Sequence, residues 1–337
     1  MRAIAYQIPQ PIEAETSLVA IDLPMPEAAG RDLLVEVRAV SVNPVDTKVR
    51  AGRAPAPGDY QVLGWDAAGI VRAVGPEARL FRPGDAVFYA GAIDRPGTNA
   101  EFHLVDERIV GKKPASLDFA AAAALPLTSI TAWEALFDRL RVADPVPGAA
   151  PAILIIGGAG GVGSIAIQLA RALTDLTVIA TASRPETQAW VRELGAHHVI
   201  SHAEPLAEQV AALGIGAPGF VFSTTNTVDH LAEIVALIAP QGRLALIDDM
   251  PALDILPFKG KAVSVHWEMM FTRSLFHTAD MEEQHRLLTR VADMVDAGTI
   301  RTTLTEVLGS IDAATLKRAH AMIETGKTRG KLVLAGF

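Results

Sequence analysis

The apolar positions along the chain fall into two textures. From residue 1 to about 115 they come in short β-rich runs broken by proline and glycine: LLVEVRAVSV (33–42), AAGIVRAVG (67–75), DAVFYA (85–90) and AEFHLV (100–105). Many short strands with frequent turn signals predict a compact antiparallel barrel rather than βαβ units. After DFAAAAALP the pattern changes to apolar strands alternating with helical stretches. AILIIG leads to a helix over 162–173, LTVIAT to one over 186–194 closed by Gly195, HVIS to one over 205–213 and GFVFST to one over 228–239, before GRLALID. Strand and helix in strict turn predict a parallel, doubly wound sheet over about 125–261, because parallel neighbours need a helical crossover. Beyond it, Met281, Leu287, Leu288, Val291, Met294 and Val295 mark an amphipathic helix over 280–297, followed by a helix over 312–325 and the strand KLVLAG. The stretch FAAAAALPLTSITAWEALF (119–137) is broken by Pro126, hydroxyl residues and Glu134, whereas a membrane span needs about 20 predominantly apolar residues. It reads as a helix followed by a buried turn.

Composition narrows the chemistry. The 337 residues are half apolar and carry a net charge of −8 with no long basic run, so neither nucleic acid nor an anionic membrane is an expected partner. There is no cysteine, which excludes disulfides, thiolate zinc sites, iron–sulfur clusters and cysteine nucleophiles. The N-terminus lacks the apolar segment of a signal peptide, and a cytoplasmic location is expected.

IIGGAGGVGS (155–164) follows the first strand of the predicted parallel sheet and opens its first helix. Gly158, Gly160 and Gly163 satisfy G-x-G-x-x-G, and in a strand–turn–helix context the pattern predicts a Rossmann pyrophosphate cradle. Gly158, Ala159, Gly160, Gly161, Val162 and Gly163 would bring bare backbone N–H groups and a positive helix end against the ligand. An acidic residue about 20 positions on would hold a free ribose 2′-OH. TASRPE offers Thr181, Ser183 and Arg184 instead, a hydroxyl and guanidinium set suited to a 2′-phosphate, so NADPH is expected over NADH. The other reading has Ser183 capping a helix and Arg184 solvated. In GAHHVISH (195–202), His202 lines the adenosine pocket or is a surface histidine; metal binding is disfavoured because neighbours in a strand face opposite sides.

VNPVDTKVRAG (42–52), LGWDAAGIVRAVG (63–75), FRPGDAVF (81–88), LPLTSITAWEAL (125–136), the glycine loop and ELGAHHVISH (193–202) occur in one order along the chain. With them the sequence resembles the medium-chain dehydrogenase/reductase superfamily over essentially its full length, within it the zinc-free, zeta-crystallin-like quinone oxidoreductases, and the branch labelled zinc-type alcohol dehydrogenase-like. The resemblance implies a GroES-like β-barrel domain (1–124, completed by 262–337), a Rossmann domain (125–261), an active site in the cleft between them, and a homodimer. Zinc members of the superfamily place a Cys at the position of Asn43, a His at that of Trp65 and a third ligand near Leu127. An amide, an indole and an alkyl group do not make a zinc site, so no zinc is expected despite the label.

Without a Lewis acid, alcohol oxidation is difficult, whereas quinones and conjugated enones accept hydride unaided. By motif position, Asn43 and Asp46 lie beside the nicotinamide, Asn43 as a donor to the substrate oxygen, and Thr131 packs on the nicotinamide ring. Lys48 stands where the quinone oxidoreductases often carry a cofactor-touching Tyr; a Lys can reach a phosphate but cannot stack. Asp248 and Asp249 fall at the nicotinamide ribose, and His202 matches a cofactor-lining position. Structural roles compete: Asn43 holding a pre-proline turn, Asp46 accepting backbone N–H groups, Trp65 as core. VHWEMMF (265–271), with Trp267 and Phe271, walls an apolar substrate pocket together with Trp65, or forms a buried strand and dimer contact. The leading expectation is an NADPH-dependent reductase of quinones or α,β-unsaturated carbonyls; the alternatives are a non-catalytic NADPH-binding redox sensor or structural protein, and a zinc-type alcohol dehydrogenase.

Overall fold

A computed structural model describes residues 1–337, and the chain divides into two compact units, Met1–Ile130 with Phe271–Phe337, and Thr131–Met270. Both boundaries lie somewhat later than 124/125 and 261/262. At the second, the reason is a sixth parallel strand, Ser264–Trp267, which continues the Rossmann sheet past 261.

The first unit is built on the long strand Asp32–Ser41, whose inward positions Leu33, Val35, Val37 and Ala39 are buried. It pairs antiparallel with Ala67–Val74, with Phe102–Asp106 and with the C-terminal strand Lys331–Ala335. Ala86–Tyr89, Val110–Lys112 and Leu304–Val307 complete a seven-stranded sheet. Gly69 permits the central crossing, since a Cβ there would lie 2.2 Å from the Glu36 carbonyl oxygen. A smaller antiparallel sheet joins Arg2–Tyr6 to Val19–Asp22 and Gln61–Val62. The helix Glu283–Asp296 covers the Val110–Lys112 edge, His285 Nδ1 lying 2.7 Å from the Val110 carbonyl oxygen. Pro44–Gly52 packs against the C-terminal helix Ala313–Glu324, where the buried Arg50 guanidinium meets Glu324 and His320.

The second unit is a six-stranded, wholly parallel sheet in the spatial order His198–Ile200, Thr177–Thr181, Ala150–Ile156, Pro218–Ser223, Arg243–Leu246 and Ser264–Trp267. Strand order therefore reverses between Ala150–Ile156 and Pro218–Ser223, and such a switch point opens the crevice in which doubly wound folds bind ligands. The central strands are buried on both faces, as continuous apolar runs such as AILII require.

Between 119 and 139 the chain runs as a short helix, Phe119–Ala123, a turn at Ala124 and Leu125, a second helix from Pro126 to Trp133 and a π-helical turn, Glu134–Arg139. The expected helix and buried turn is thus a turn between two helices, since proline is tolerated in a first helical turn. Its most apolar window is 78% buried inside the protein, which marks a core segment rather than a lipid-facing one.

Candidate active site

The glycines of the loop serve different ends. Gly157 has φ +79°, and a Cβ on it would lie 2.4 Å from Thr224 Oγ1. One on Gly163 would lie 2.3 Å from the Gly157 carbonyl oxygen, and one on Gly158 2.9 Å from Ala180 Cβ. Packing alone demands these three. Gly160 differs: its Cβ would meet only the Gly157 oxygen at 3.5 Å, an ordinary contact. Here the protein leaves room for a side chain that is not there, as expected where a ligand approaches bare backbone. Gly160 is also the N-cap of the helix Gly161–Leu173, and no side chain caps that helix end.

The neighbouring residues brace or edge this cradle. Thr181 is fully buried and its hydroxyl accepts the Gly157 N–H at 3.0 Å, with His202 Nδ1 3.3 Å away. It therefore braces the loop from within, while Ser183 is partly exposed. Ser183 does not cap the next helix. Its N-cap is Arg184, whose N–H donates to Thr187 Oγ1 at 3.2 Å. Arg184 Nε donates to Glu186 Oε1 at 2.6 Å, so a 2′-phosphate would compete with a carboxylate for this guanidinium. Asp248 accepts from both the N–H (2.8 Å) and the hydroxyl (2.5 Å) of Thr227 and so pins the loop that follows Pro218–Ser223, while Asp249 is exposed. Partial desolvation, with His230 and Arg184 nearby, holds His202 below its usual pKa.

In the first unit a polar centre is enclosed in apolar surroundings. Asn43 is 1% exposed, and its Nδ2 donates to Asp66 Oδ2 (2.9 Å) and to the Ser41 carbonyl (3.3 Å). Its Oδ1 accepts from the Lys331 ammonium, which also reaches Asp66 Oδ2 (3.0 Å) and the Val42 carbonyl (3.2 Å). Asp66 Oδ1 takes the Leu127 N–H at 2.8 Å. Asp46 joins through Oδ2, which accepts the Asn43 N–H at 2.7 Å, and its Oδ1 is buried without a hydrogen-bond partner. Burial dominates both carboxyls: Asp46 is pushed up to about 7 and Asp66 is raised, although Lys331 opposes the shift in each.

Two family models match the chain, alcohol dehydrogenase GroES-like domain over 29–115 and zinc-binding dehydrogenase over 194–334. A zinc-type alcohol dehydrogenase-like protein of Staphylococcus aureus is 38% identical over 99% of both chains. The chain belongs to the medium-chain dehydrogenase/reductase superfamily. Within it the protein fits the quinone-oxidoreductase-like branch: human quinone oxidoreductase is 32% identical over 70% of each chain. A crystal structure from Rhizobium etli CFN 42, provisionally described as a zinc-dependent alcohol dehydrogenase, is 68% identical and superposes with a TM-score of 0.99 over 100% of this chain and 98% of that one.

The zinc in those names can be tested against the donors present in this medium-chain dehydrogenase/reductase. Both amide hydrogens of Asn43 are spent inside the protein, and its oxygen faces an ammonium. The Trp65 indole N–H donates to the Ala92 carbonyl at 3.1 Å, and Leu127 contributes a backbone N–H to Asp66. Zinc takes thiolate, imidazole or carboxylate ligands. Asp66 already accepts from Leu127, Asn43 and Lys331, and Asp46 beside it accepts the Asn43 N–H; two carboxylates with an amide, an indole and an alkyl group do not fit the metal.

The same saturation bears on Asn43 as a substrate donor, because its hydrogens are already directed at Ser41 and Asp66. Trp65 is 1% exposed and stacks edge-to-face on Phe271, ring centroids 6.2 Å apart, both in the first unit. Trp267 belongs to the second unit and is 54% exposed on the outermost parallel strand. Lys48 lies on the exposed face of Pro44–Gly52, and Thr131 is buried in the helix Pro126–Trp133. Sequence reasoning passed over Asp66 and Lys331. An inward-facing charge in an apolar strand, the Lys of KLVLAG, was the available signal.

Proposed function

We propose that the protein is an NADPH-dependent, zinc-independent reductase delivering hydride to a quinone or an α,β-unsaturated carbonyl. The observation that carries this reading is the donor set at Asn43, Trp65 and Leu127, which suits an acceptor that needs no Lewis acid. When bound, NADPH supplies the hydride and its two electrons from the nicotinamide C4. The backbone of Gly158–Gly163 and the uncapped helix end hold its pyrophosphate, and Ser183 and Arg184 meet the 2′-phosphate. Asp46 keeps a proton on its buried carboxyl up to about pH 7, and Lys331 and Asp66 hold Asn43 in one orientation beside it. The exposed Trp267 and Met269 at the free sheet edge support a homodimer.

The test is oxidation of NADPH, followed by its absorbance, with a quinone and with a panel of small enones. Turnover with at least one acceptor is expected; tight NADPH binding without turnover for any would favour the non-catalytic sensor. The names of the relatives favour one second reading, a zinc alcohol dehydrogenase, and metal analysis finding about one zinc per chain would establish it over the first.

A further inference from the structure

The strand Pro218–Ser223 and the loop after it carry a chain of hydrogen bonds that ends on Asp248. Ser223 and Thr227 are both 0% exposed, and their hydroxyl oxygens lie 2.7 Å apart. Thr227 Oγ1 is also 2.5 Å from Asp248 Oδ1, and the Thr227 N–H donates to Asp248 Oδ2 at 2.8 Å. A carboxylate only accepts, so the single hydroxyl hydrogen of Thr227 goes to Asp248, and the Ser223 hydroxyl must donate to Thr227. The chain therefore runs one way, from Ser223 through Thr227 to the half-buried Asp248, each bond polarising the next. It ties the far side of the loop to the chain just beyond the neighbouring strand, Arg243–Leu246.

The near side of the loop is fixed as well. Thr224 donates both its N–H (3.2 Å) and its hydroxyl (2.8 Å) to the carbonyl of Ile156, the last residue of the strand that leads into the glycine loop. A Cβ on Gly157 would come within 2.4 Å of Thr224 Oγ1, so the two loops are packed together. Between these anchors Thr225 and Asn226 are exposed, and Asn226 turns the chain at φ +52°, a region that asparagine tolerates better than most residues. The two loops leave the carboxyl ends of the two strands at the switch point, and a ligand in that crevice lies between them. We propose that Asp248 is a positioning residue. Through Thr227 and Ser223 it fixes the crevice wall opposite the glycine loop, and with it the placement of the nicotinamide half of NADPH, which is the cofactor under the function proposed above. Its oxygens are turned onto the loop rather than onto the ribose. A wall held at both ends presents one conformation to the cofactor, and binding does not have to order it.

Two ligands separate this role from its rivals. Adenosine 2′,5′-bisphosphate reads the adenosine half of the crevice alone, whereas NADPH reads both halves. Calorimetric Kd values for each, with the Tm of the cofactor-free protein, are compared for wild type, Asp248→Ala, Thr227→Val and the double variant. Ser223→Ala breaks the same chain and replaces Thr227→Val if that variant does not fold. Each single variant is expected to weaken NADPH severalfold and the double variant no further, because both remove one device. The bisphosphate should bind all of them as tightly as wild type, and Thr227→Ser, which keeps the hydroxyl, should restore most of the NADPH affinity. A loss confined to Asp248→Ala, with Thr227→Val binding like wild type, would overturn the proposal and make Asp248 a direct ligand of the ribose. Equal losses of both ligands would overturn it in favour of general damage to the parallel-sheet unit, and unchanged NADPH affinity in both single variants would overturn it outright. A wild type that binds neither ligand would overturn the cofactor reading instead. The Tm values then decide the chain itself: losses that fail to add in the double variant support it, and additive losses overturn it.

Discussion

The glycine loop and the polar centre are built by opposite means. The loop draws its parts from consecutive residues, Gly157 to Gly163, and works through backbone that no side chain covers. The polar centre joins Asn43, Asp66 and Lys331 from distant parts of the chain, and works through side chains that satisfy one another. One region is specified by what is omitted, the other by a balance of charges inside an apolar shell. A site of the first kind tolerates little change in shape. A site of the second kind tolerates little change in charge.

The largest effect is expected where the charge balance is broken. Lys331→Met leaves Asp66 buried and uncompensated, and urea unfolding should show a loss of about 3–5 kcal/mol, the usual consequence of removing one partner of a buried pair. Adding Asp66→Asn should recover part of it; a double variant no more stable than the single one would mean that charge is not what holds this region together. The loop is probed by two glycines with opposite internal demands. Gly163→Ala forces a Cβ onto the Gly157 carbonyl and should cost about 1–3 kcal/mol, whereas Gly160→Ala should leave the apo protein as stable as wild type. Both should lose NADPH binding by calorimetry, and retained binding in Gly160→Ala would remove the ligand-based reason for that glycine.

A smaller effect separates the two cofactors. Arg184→Ala should weaken NADPH by about tenfold, roughly 1.4 kcal/mol, with NADH nearly unchanged, because only the 2′-phosphate loses a charge-assisted partner. Equal losses would return Arg184 to its contact with Glu186. The smallest change concerns Asp46. Its raised pKa means that the proton is held below about pH 7 and lost above it, so kcat/KM for the wild type should decline through that value. Asp46→Asn should flatten the profile, and an unaltered decline would assign it to another group.

Legibility followed locality. The alternation of strands and helices and the glycine loop depend on neighbours in sequence, and the structure places them within a few residues of expectation. The helix before Arg243–Leu246 begins at Leu231 rather than 228 because the chain first turns through Asn226, at φ +52°, and Asp248 pins Thr227. Thr181 illustrates the limit more sharply: its hydroxyl suits a phosphate in the sequence, yet a buried strand end turns it onto the glycine loop. Ser183 and Arg184 exchange the capping role for a similar reason, since Pro185 starts the helix one residue beyond the expected cap.

By itself, then, the sequence determined the two-part architecture, the parallel sheet and the glycine loop that opens its first helix, because periodicity and glycine act over a few residues. Only the tertiary structure decided that Lys331 pairs with Asp66 and occupies the amide oxygen of Asn43, and that Arg139 meets Glu268. Buried charge must find its partner in space, and the residues that supply it lie wherever the fold returns the chain.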